Sequence, residues 1–253
     1  MILFEKINIG GITVDNVSMA ETLQAIEGLV AEGKQSYVTN PNVDIVIRYN
    51  RDSEFARYYD EGALCVADGV PILWAAKFLG NPLKEKVSGS DLVPKVCELA
   101  DQKGFKLFFM GGRPGAADAA KAKLLETLHN LKVVGTYAPP FGFEKDEQEL
   151  KNISRMIKDA KPDILFVGLG APKQERWIKK YHEELGVPVC MGVGVTFEFI
   201  AGIVKRAPKW MQNIGLEWFW RLCMEPGRLW KRYLIDDTQF FGIILKQKFR
   251  RPT

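Results

Sequence analysis

The 253-residue sequence predicts an α/β protein: a Rossmann-like, mainly parallel sheet with helices on both faces, an N-terminal β-hairpin and a C-terminal helical appendage. Short apolar runs alternate with helix-length segments at least five times, the pattern of a parallel sheet buried on both faces. Glycines follow most of the apolar runs, as expected where buried strands end and the chain turns into a loop. From residue 205 onward the composition changes, which divides the chain into an α/β core over 1–204 and an appendage over 205–253.

In chain order, Ile7-Asn8-Ile9 and Ile12-Thr13-Val14 alternate around Gly10-Gly11, the signature of a tight hairpin. Ser18-Met19-Ala20-Glu21 fits a capping box, opening a helix with Leu23, Ile26 and Val30 on one side. Ser36 to Thr39 is a strand running into Asn40-Pro41-Asn42, where Asn40 can cap the next helix and Pro41 can take its first position. The apolar run Leu64-Cys65-Val66-Ala67 delivers Asp68 into a Gly69 and Pro71 turn, and a helix through Ile72, Leu73, Trp74 and Phe78 follows. Ser90-Asp91 begins another helix, which ends near Gly104.

Lys106 to Met110 is a strand that leads into Gly111-Gly112-Arg113-Pro114-Gly115 and an alanine-rich helix. Glycines between strand and helix let a phosphate approach backbone amides and the positive end of the helix dipole. The stretch is neither a Walker A loop nor a complete Gly-x-Gly-x-x-Gly fingerprint. Lys132 to Gly135 is a further strand, and Tyr137 to Phe143 is a long loop, either a lid or an ordinary connection. After a helix near 146–160, Asp163 to Val167 forms a buried strand ending in Gly168-Leu169-Gly170-Ala171-Pro172-Lys173-Gln174-Glu175. Pro172 suits a first helical turn, and Trp177, Ile178, Tyr181 and Leu185 share a face. Gln174 lies one turn earlier, where its amide can donate to and accept from a nucleotide or sugar; Lys173 can serve a phosphate. Pro188 to Met191 is the final strand, entering the small-residue turn Gly192-Val193-Gly194. In such folds the ligand cleft lies outside the carboxyl ends of the strands, which places Asn40, Asn42, Asp68, Gly111, Gly112 and Gln174 along it.

Residues 205–253 hold 11 of the 35 Lys and Arg but only 4 of the 31 Asp and Glu, so the segment carries +7 against −3 for the remainder. Trp210, Trp218, Trp220 and Trp230 also lie there, and a basic aromatic segment on a mildly acidic body points to an anionic partner. Pro208 to Leu222 reads as one helix with Met211, Ile214, Trp218, Phe219 and Leu222 on a stripe and Arg221 beside it. Glu225-Pro226-Gly227 breaks the chain, and Arg228, Lys231 and Arg232 then share a face of a second helix, suited to diphosphate geometry.

Composition excludes several chemistries. Cys65, Cys97, Cys190 and Cys223 show no Cys-x-x-Cys spacing and read as reduced core thiols. His129 and His182 lie outside the glycine-rich strand ends, which disfavours a histidine triad or metal cluster. The chain has no Asp-x-Asp, so a diphosphate leaving group falls to helix termini and cationic side chains. No apolar run has the length of a membrane span, and Glu5 and Lys6 come too early for a signal peptide, so a cytosolic protein is expected.

Asn40-Pro41-Asn42, Ala67-Asp68-Gly69, Gly111-Gly112-Arg113-Pro114-Gly115, Gly170 to Glu175, Gly192-Val193-Gly194 and Lys205-Arg206-Ala207-Pro208 occur in the order seen in the WecG/TagA/CpsF family of bacterial glycosyltransferases, which the chain resembles over nearly its whole length. The resemblance implies an inverting, metal-independent transfer without cofactor. The sugar, typically N-acetylmannosamine from UDP-N-acetylmannosamine, goes to the 4-hydroxyl of N-acetylglucosamine on undecaprenyl diphosphate, for wall teichoic acid or a related surface glycan. It implies Asp68 as general base, Asn42 and Gln174 as substrate contacts, and Arg221 and Arg228 at the diphosphate. Where some members carry threonine before the proline this chain has Asn40, with Thr39 one residue earlier, and a third tail arginine aligns with Lys231, next to Arg232. Arg113, Lys173, Gly192 and Gly194 complete the expected substrate-binding set; no residue is expected to ligate metal. The resemblance also implies peripheral docking of the tail on the inner face of the plasma membrane, and a homo-oligomer in equilibrium with monomer. Two other readings stand beside it. One is a related transferase using UDP-N-acetylmannosaminuronic acid or UDP-glucose, and the other is a non-enzymatic nucleotide- or nucleic-acid-binding protein.

Overall fold

The computed structural model describes residues 3–249. In chain order the elements are β1 (Lys6–Ile9), β2 (Ile12–Asp15), α1 (Met19–Glu32), β3 (Ser36–Thr39), α2 (Val43–Tyr49), α3 (Ser53–Asp60), β4 (Leu64–Cys65), α4 (Val70–Leu79), α5 (Gly89–Lys103), β5 (Lys106–Gly111) and α6 (Ala116–Leu125). They continue with β6 (Lys132–Tyr137), α7 (Glu147–Ala160), β7 (Ile164–Gly168), α8 (Lys173–Leu185), β8 (Val189–Gly192), α9 (Thr196–Ile200), α10 (Lys209–Asn213), α11 (Glu217–Met224), α12 (Pro226–Lys231), a π-helical turn (Arg232–Asp236) and α13 (Gln239–Phe249). The chain folds into two compact units, one from Ala20–Thr39 and Gly89–Val204, the other from Leu3–Met19, Asn40–Ser88 and the residues from 205 onward.

The first unit holds five parallel strands in the order β3-β8-β7-β5-β6. Every residue of β7 and β8 is buried, which requires cover on both faces; α5 and α6 pack on β5, α7 on β6, and α8 on β3, β7 and β8. Phe109 stacks on Phe197 of α9 with ring centroids 5.1 Å apart, and Phe166 lies 5.7 Å from Phe109. These rings are fully buried and form the centre of the core. His182 sits under α8's apolar face, its Nδ1 3.2 Å from the Ile178 carbonyl oxygen and its ring edge-on to Tyr37 at 4.9 Å.

The second unit is built on the expected hairpin, whose Ile7, Ile9, Ile12 and Val14 are all buried. Its turn is gripped from two sides. Gln247 of α13 accepts the Gly10 N–H at 2.6 Å and donates to the Asn8 carbonyl at 2.9 Å, while Asn50 after α2 donates to the Gly10 carbonyl at 2.6 Å. Gly10 has φ +61, and a β-carbon there would come within 2.5 Å of Val46. Phe240 and Ile244 turn the other side of α13 inward. The last helix is therefore clasped to the first two strands by polar and apolar contacts together.

Three expectations change. The tail stretch from Pro208 to Leu222 is two helices, α10 and α11, because Gly215 adopts φ +76 and faces Val70 and Trp74 with no room for a side chain. Helix α2 begins after Asn42, whose side chain accepts the Ile45 N–H, so Asn42 and not Asn40 is the cap. Cys65, Cys97 and Cys190 are buried, and burial pushes the Cys190 thiol up to about 12, but Cys223 on α11 is exposed. No described helix is long and apolar enough to cross a membrane.

Gly111 tests the closeness of the strands. It has φ +102, and a β-carbon there would lie 2.5 Å from the Gly168 carbonyl oxygen, a backbone atom that has no rotamer to move aside. Gly111→Ala should cost about 2–4 kcal/mol and lower the melting temperature by roughly 5–10 °C, read by differential scanning calorimetry. An unchanged melting temperature would refute the close approach.

Candidate active site

In the first unit the predicted residues Gly111, Gly112, Arg113, Lys173, Gln174, Gly192 and Gly194 gather at the carboxyl ends of β5, β7 and β8. Backbone contacts hold these loops to one another. The Gly112 N–H donates to the Gly168 carbonyl at 2.7 Å and the Val193 N–H to the Val167 carbonyl at 2.9 Å. Gln174 ties the loops after β7 and β8. Its Oε1 accepts the Gly170 N–H at 3.1 Å and the Gly194 N–H at 3.0 Å, and its Nε2 donates to Glu175 Oε1 at 3.0 Å. At 5% exposure, this glutamine is a brace between the loops at the carboxyl edge of the sheet, a duty the helical spacing did not reveal. Gly192 makes room for it, since a β-carbon there would sit 2.6 Å from Nε2.

The glycine-rich turn after β5 differs from a phosphate cradle. The Arg113 N–H donates to Glu198 Oε1 at 3.0 Å, and the Gly112 N–H is committed to Gly168. Glu198 is 5% exposed, and its Oε2 is buried without a hydrogen-bond partner. A carboxylate against this turn opposes a second anion and favours a neutral hydrogen-bond donor. Glu198 was missed in the sequence because it lies 85 residues beyond Arg113, in the five-residue helix α9, and nothing local marks it. Lys173 is half-exposed, paired with Glu144 Oε1 at 2.8 Å and 5.3 Å above the Phe141 ring, in the loop between β6 and α7. Thr39 is fully buried at the end of β3.

In the second unit Asp68 and Asn42 are brought together by the backbone. The Asp68 N–H donates to the Pro41 carbonyl at 3.0 Å, and the Val87 N–H to the Ala67 carbonyl at 2.9 Å, so the aspartate stands in a braced turn. Gly69, at φ +102, caps α4 and permits the sharp exit. The strand preceding it, β4, has only two residues, and its rigidity comes from Asp15, whose buried Oδ2 accepts the Cys65 N–H at 2.8 Å. Burial raises the Asp15 carboxyl above its ordinary range. Asp68, Asn40 and Asn42 are each half-exposed.

The tail cations lie on three successive elements. Arg221 is half-buried in the last turn of α11, Lys231 is exposed at the end of α12, and the side chain of Arg228 lies outside the described residues. Arg232 opens the π-helical turn with its Nη2 3.6 Å from Asp44 Oδ2, an oxygen that also accepts from Arg48 Nε at 2.9 Å. Asp237 completes the cluster with a buried, unpartnered Oδ1. Burial pushes its carboxyl up to about 6, with Asp44 and Asp236 adding to the rise and Arg232 and Arg48 opposing it. An arginine held by Asp44 must exchange partners before it can bind a diphosphate.

Two outcomes follow from these contacts. Gln174→Ala leaves two amides without their acceptor and should cost about 2–4 kcal/mol, measured by urea unfolding; a cost under about 0.5 kcal/mol would deny the brace. The folded state holds the Asp237 proton more tightly than the unfolded chain, so its contribution favours folding at low pH and is lost as pH rises from about 4 through about 6. Asp237→Asn should therefore raise the melting temperature at pH 7.5 more than at pH 4.5, and an equal change at both pH values would contradict the burial.

The sequence profile of the Glycosyl transferase WecG/TagA/CpsF family matches residues 7–253. Relatives named N-acetylglucosaminyldiphosphoundecaprenol N-acetyl-beta-D-mannosaminyltransferase include the protein of Bacillus subtilis (strain 168), 28% identical over 216 residues, 85% of this chain and 81% of that protein. That of Staphylococcus aureus (strain MW2) is 29% identical over 229 residues, 90% of this chain and 86% of its own. That of Bacillus spizizenii is 30% identical over 223 residues, with 86% and 81% covered. With the profile spanning the hairpin, the parallel sheet, the Asp68 turn and the basic tail, the chain belongs to the WecG/TagA/CpsF family of glycosyl transferases.

Proposed function

We propose that this protein transfers N-acetylmannosamine from UDP-N-acetylmannosamine to the 4-hydroxyl of N-acetylglucosamine on undecaprenyl diphosphate, forming a β-1,4 linkage with inversion. The lipid-linked disaccharide so formed enters wall teichoic acid or a related surface glycan. The observation that carries the reading is Asp68, held by its backbone to Pro41 beside Asn42 at the start of α4, in a chain whose relatives bear that transferase's name.

In this reading the Asp68 carboxylate takes the proton of the acceptor hydroxyl as its oxygen attacks the anomeric carbon. The bond from that carbon to the diphosphate oxygen breaks, and UDP departs with the electron pair. Arg221, Arg228, Lys231 and Arg232 supply the countercharge, with no metal and no cofactor. The glycine turns after β5, β7 and β8 receive the uncharged sugar and nucleoside of the donor, with Asn40, Asn42, Arg113 and Lys173 as further contacts, while Thr39, fully buried, supports the end of β3. The enzyme works peripherally on the inner face of the plasma membrane, where the lipid-linked acceptor resides, and exchanges between a homo-oligomer and a monomer.

Incubation with a lipid-linked N-acetylglucosamine acceptor and a panel of UDP-sugars in excess EDTA should release UDP fastest from UDP-N-acetylmannosamine. Faster release from UDP-glucose or UDP-N-acetylmannosaminuronic acid would reassign the donor, and silence with every UDP-sugar would count against the transferase. Asp68→Asn should lower kcat at least 100-fold with the melting temperature unchanged; a fully active variant would remove Asp68 from the chemistry.

A further inference from the structure

Asp44 and Asp237 have no part in the chemistry above, yet the contact they make with Arg232 is built for exchange and not as a closed salt bridge. Asp44, the second residue of α2, is buried and offers its Oδ2 to two guanidinium groups. Arg48 takes this oxygen tightly, with Nε at 2.9 Å, and Arg232 loosely, with Nη2 at 3.6 Å. Arg232 Nε is buried without a hydrogen-bond partner, and so is Asp237 Oδ1. A planar guanidinium that closes fully on a carboxylate makes two parallel bonds of about 2.8 Å. Arg232 is therefore charged, partly buried and only half-satisfied.

Withdrawal of Arg232 costs this cluster little. Asp44 keeps Arg48 on the same oxygen, so its carboxylate is not left buried and unpaired, the outcome that makes most broken buried pairs expensive. A diphosphate offers the guanidinium more than Asp44 gives, because it carries more charge and its neighbouring oxygens fit the fork of N–H groups. The contact also lies beside the residues of the candidate site. Asn42 caps α2 two positions before Asp44, and the Pro41 carbonyl accepts the Asp68 N–H at 3.0 Å. On the tail side, the π-helical turn that Arg232 opens continues directly from α12, which ends in Lys231.

We infer that Asp44, backed by Asp237, is a stand-in anion on Arg232 that competes with the diphosphate of a substrate, so that this cation is handed over only to a ligand able to displace the acid. Asp44 thereby sets the affinity of the site. Every anion that binds Arg232 must first break the 3.6 Å contact, a penalty that keeps the weakest anions off. A salt bridge with a purely structural role predicts the opposite sign, since neutralising Asp44 would then loosen the turn and weaken the ligand. That the ligand is a diphosphate of the transfer reaction rests on the transferase reading; the competition for Arg232 does not.

The test is calorimetric titration of the full-length chain, in EDTA, with UDP, with geranyl diphosphate and with uridine, which lacks the diphosphate. Asp44→Asn should bind a diphosphate about threefold tighter than wild type, or more, and uridine no tighter. A gain with UDP assigns Arg232 to the nucleotide, and a gain with geranyl diphosphate assigns it to the lipid-linked acceptor. Adding Arg232→Ala should cancel the gain. Equal or weaker binding of both diphosphates by Asp44→Asn overturns the inference, as does a gain that survives Arg232→Ala or extends to uridine. Should Asp44→Asn lose its fold, Asp237→Asn, whose Oδ1 has no partner to lose, decides by the same criteria. Because no sugar is transferred in the titration, a chain that shows the gain yet releases UDP from no UDP-sugar would keep the competition and sink only the transferase reading.

Discussion

The carboxyl edge of the parallel strands is set by how closely backbones can approach when side chains are missing. Gly111 and Gly168 touch main chain to main chain, and the Gly112 amide reaches the Gly168 carbonyl at 2.7 Å. Any β-carbon would part the strands there, and the turns after β5 and β7 would separate with them. Gln174 extends the constraint to β8 by giving one oxygen to the amides of Gly170 and Gly194. The loops of this edge are consequently held to one another by shared hydrogen bonds.

Glu198 adds an electrostatic condition to that geometry. A carboxylate tied to the Arg113 amide makes the glycine turn after β5 unfavourable for phosphate, although the turn has the small residues of a phosphate loop. Glycine content reports how near a backbone can come to a ligand; the charge of the neighbours decides which ligand is welcome. In the second unit Asp44 and Asp237 hold Arg232 in a partly buried cluster, limiting its freedom.

Much of this architecture was legible in the chain. The hairpin around Gly10-Gly11, the buried runs of β5, β7 and β8 and the turn at Asp68 follow from periodicity and turn chemistry, both local properties. The misplaced features share a cause. Asn40 and Asn42 are equally good caps in isolation, and the choice went to Asn42 because the Pro41 carbonyl is engaged by the Asp68 amide. The tail helix breaks at Gly215 because Val70 and Trp74 occupy the space a continuous helix would need, and Cys223 faces outward on the short helix that results.

The sequence by itself determined the fold class, the family, the glycine turns at the strand ends and the basic aromatic character of the tail, because each is written in neighbouring residues. Tertiary structure alone decided that Gln174 is a brace, that Glu198 faces the Arg113 amide, that Gln247 clasps the hairpin and that Trp74 and Phe78 look outward. Those facts depend on pairs of residues from 4 to 237 positions apart. No local pattern encodes which distant group arrives to satisfy a buried amide or to leave a ring uncovered.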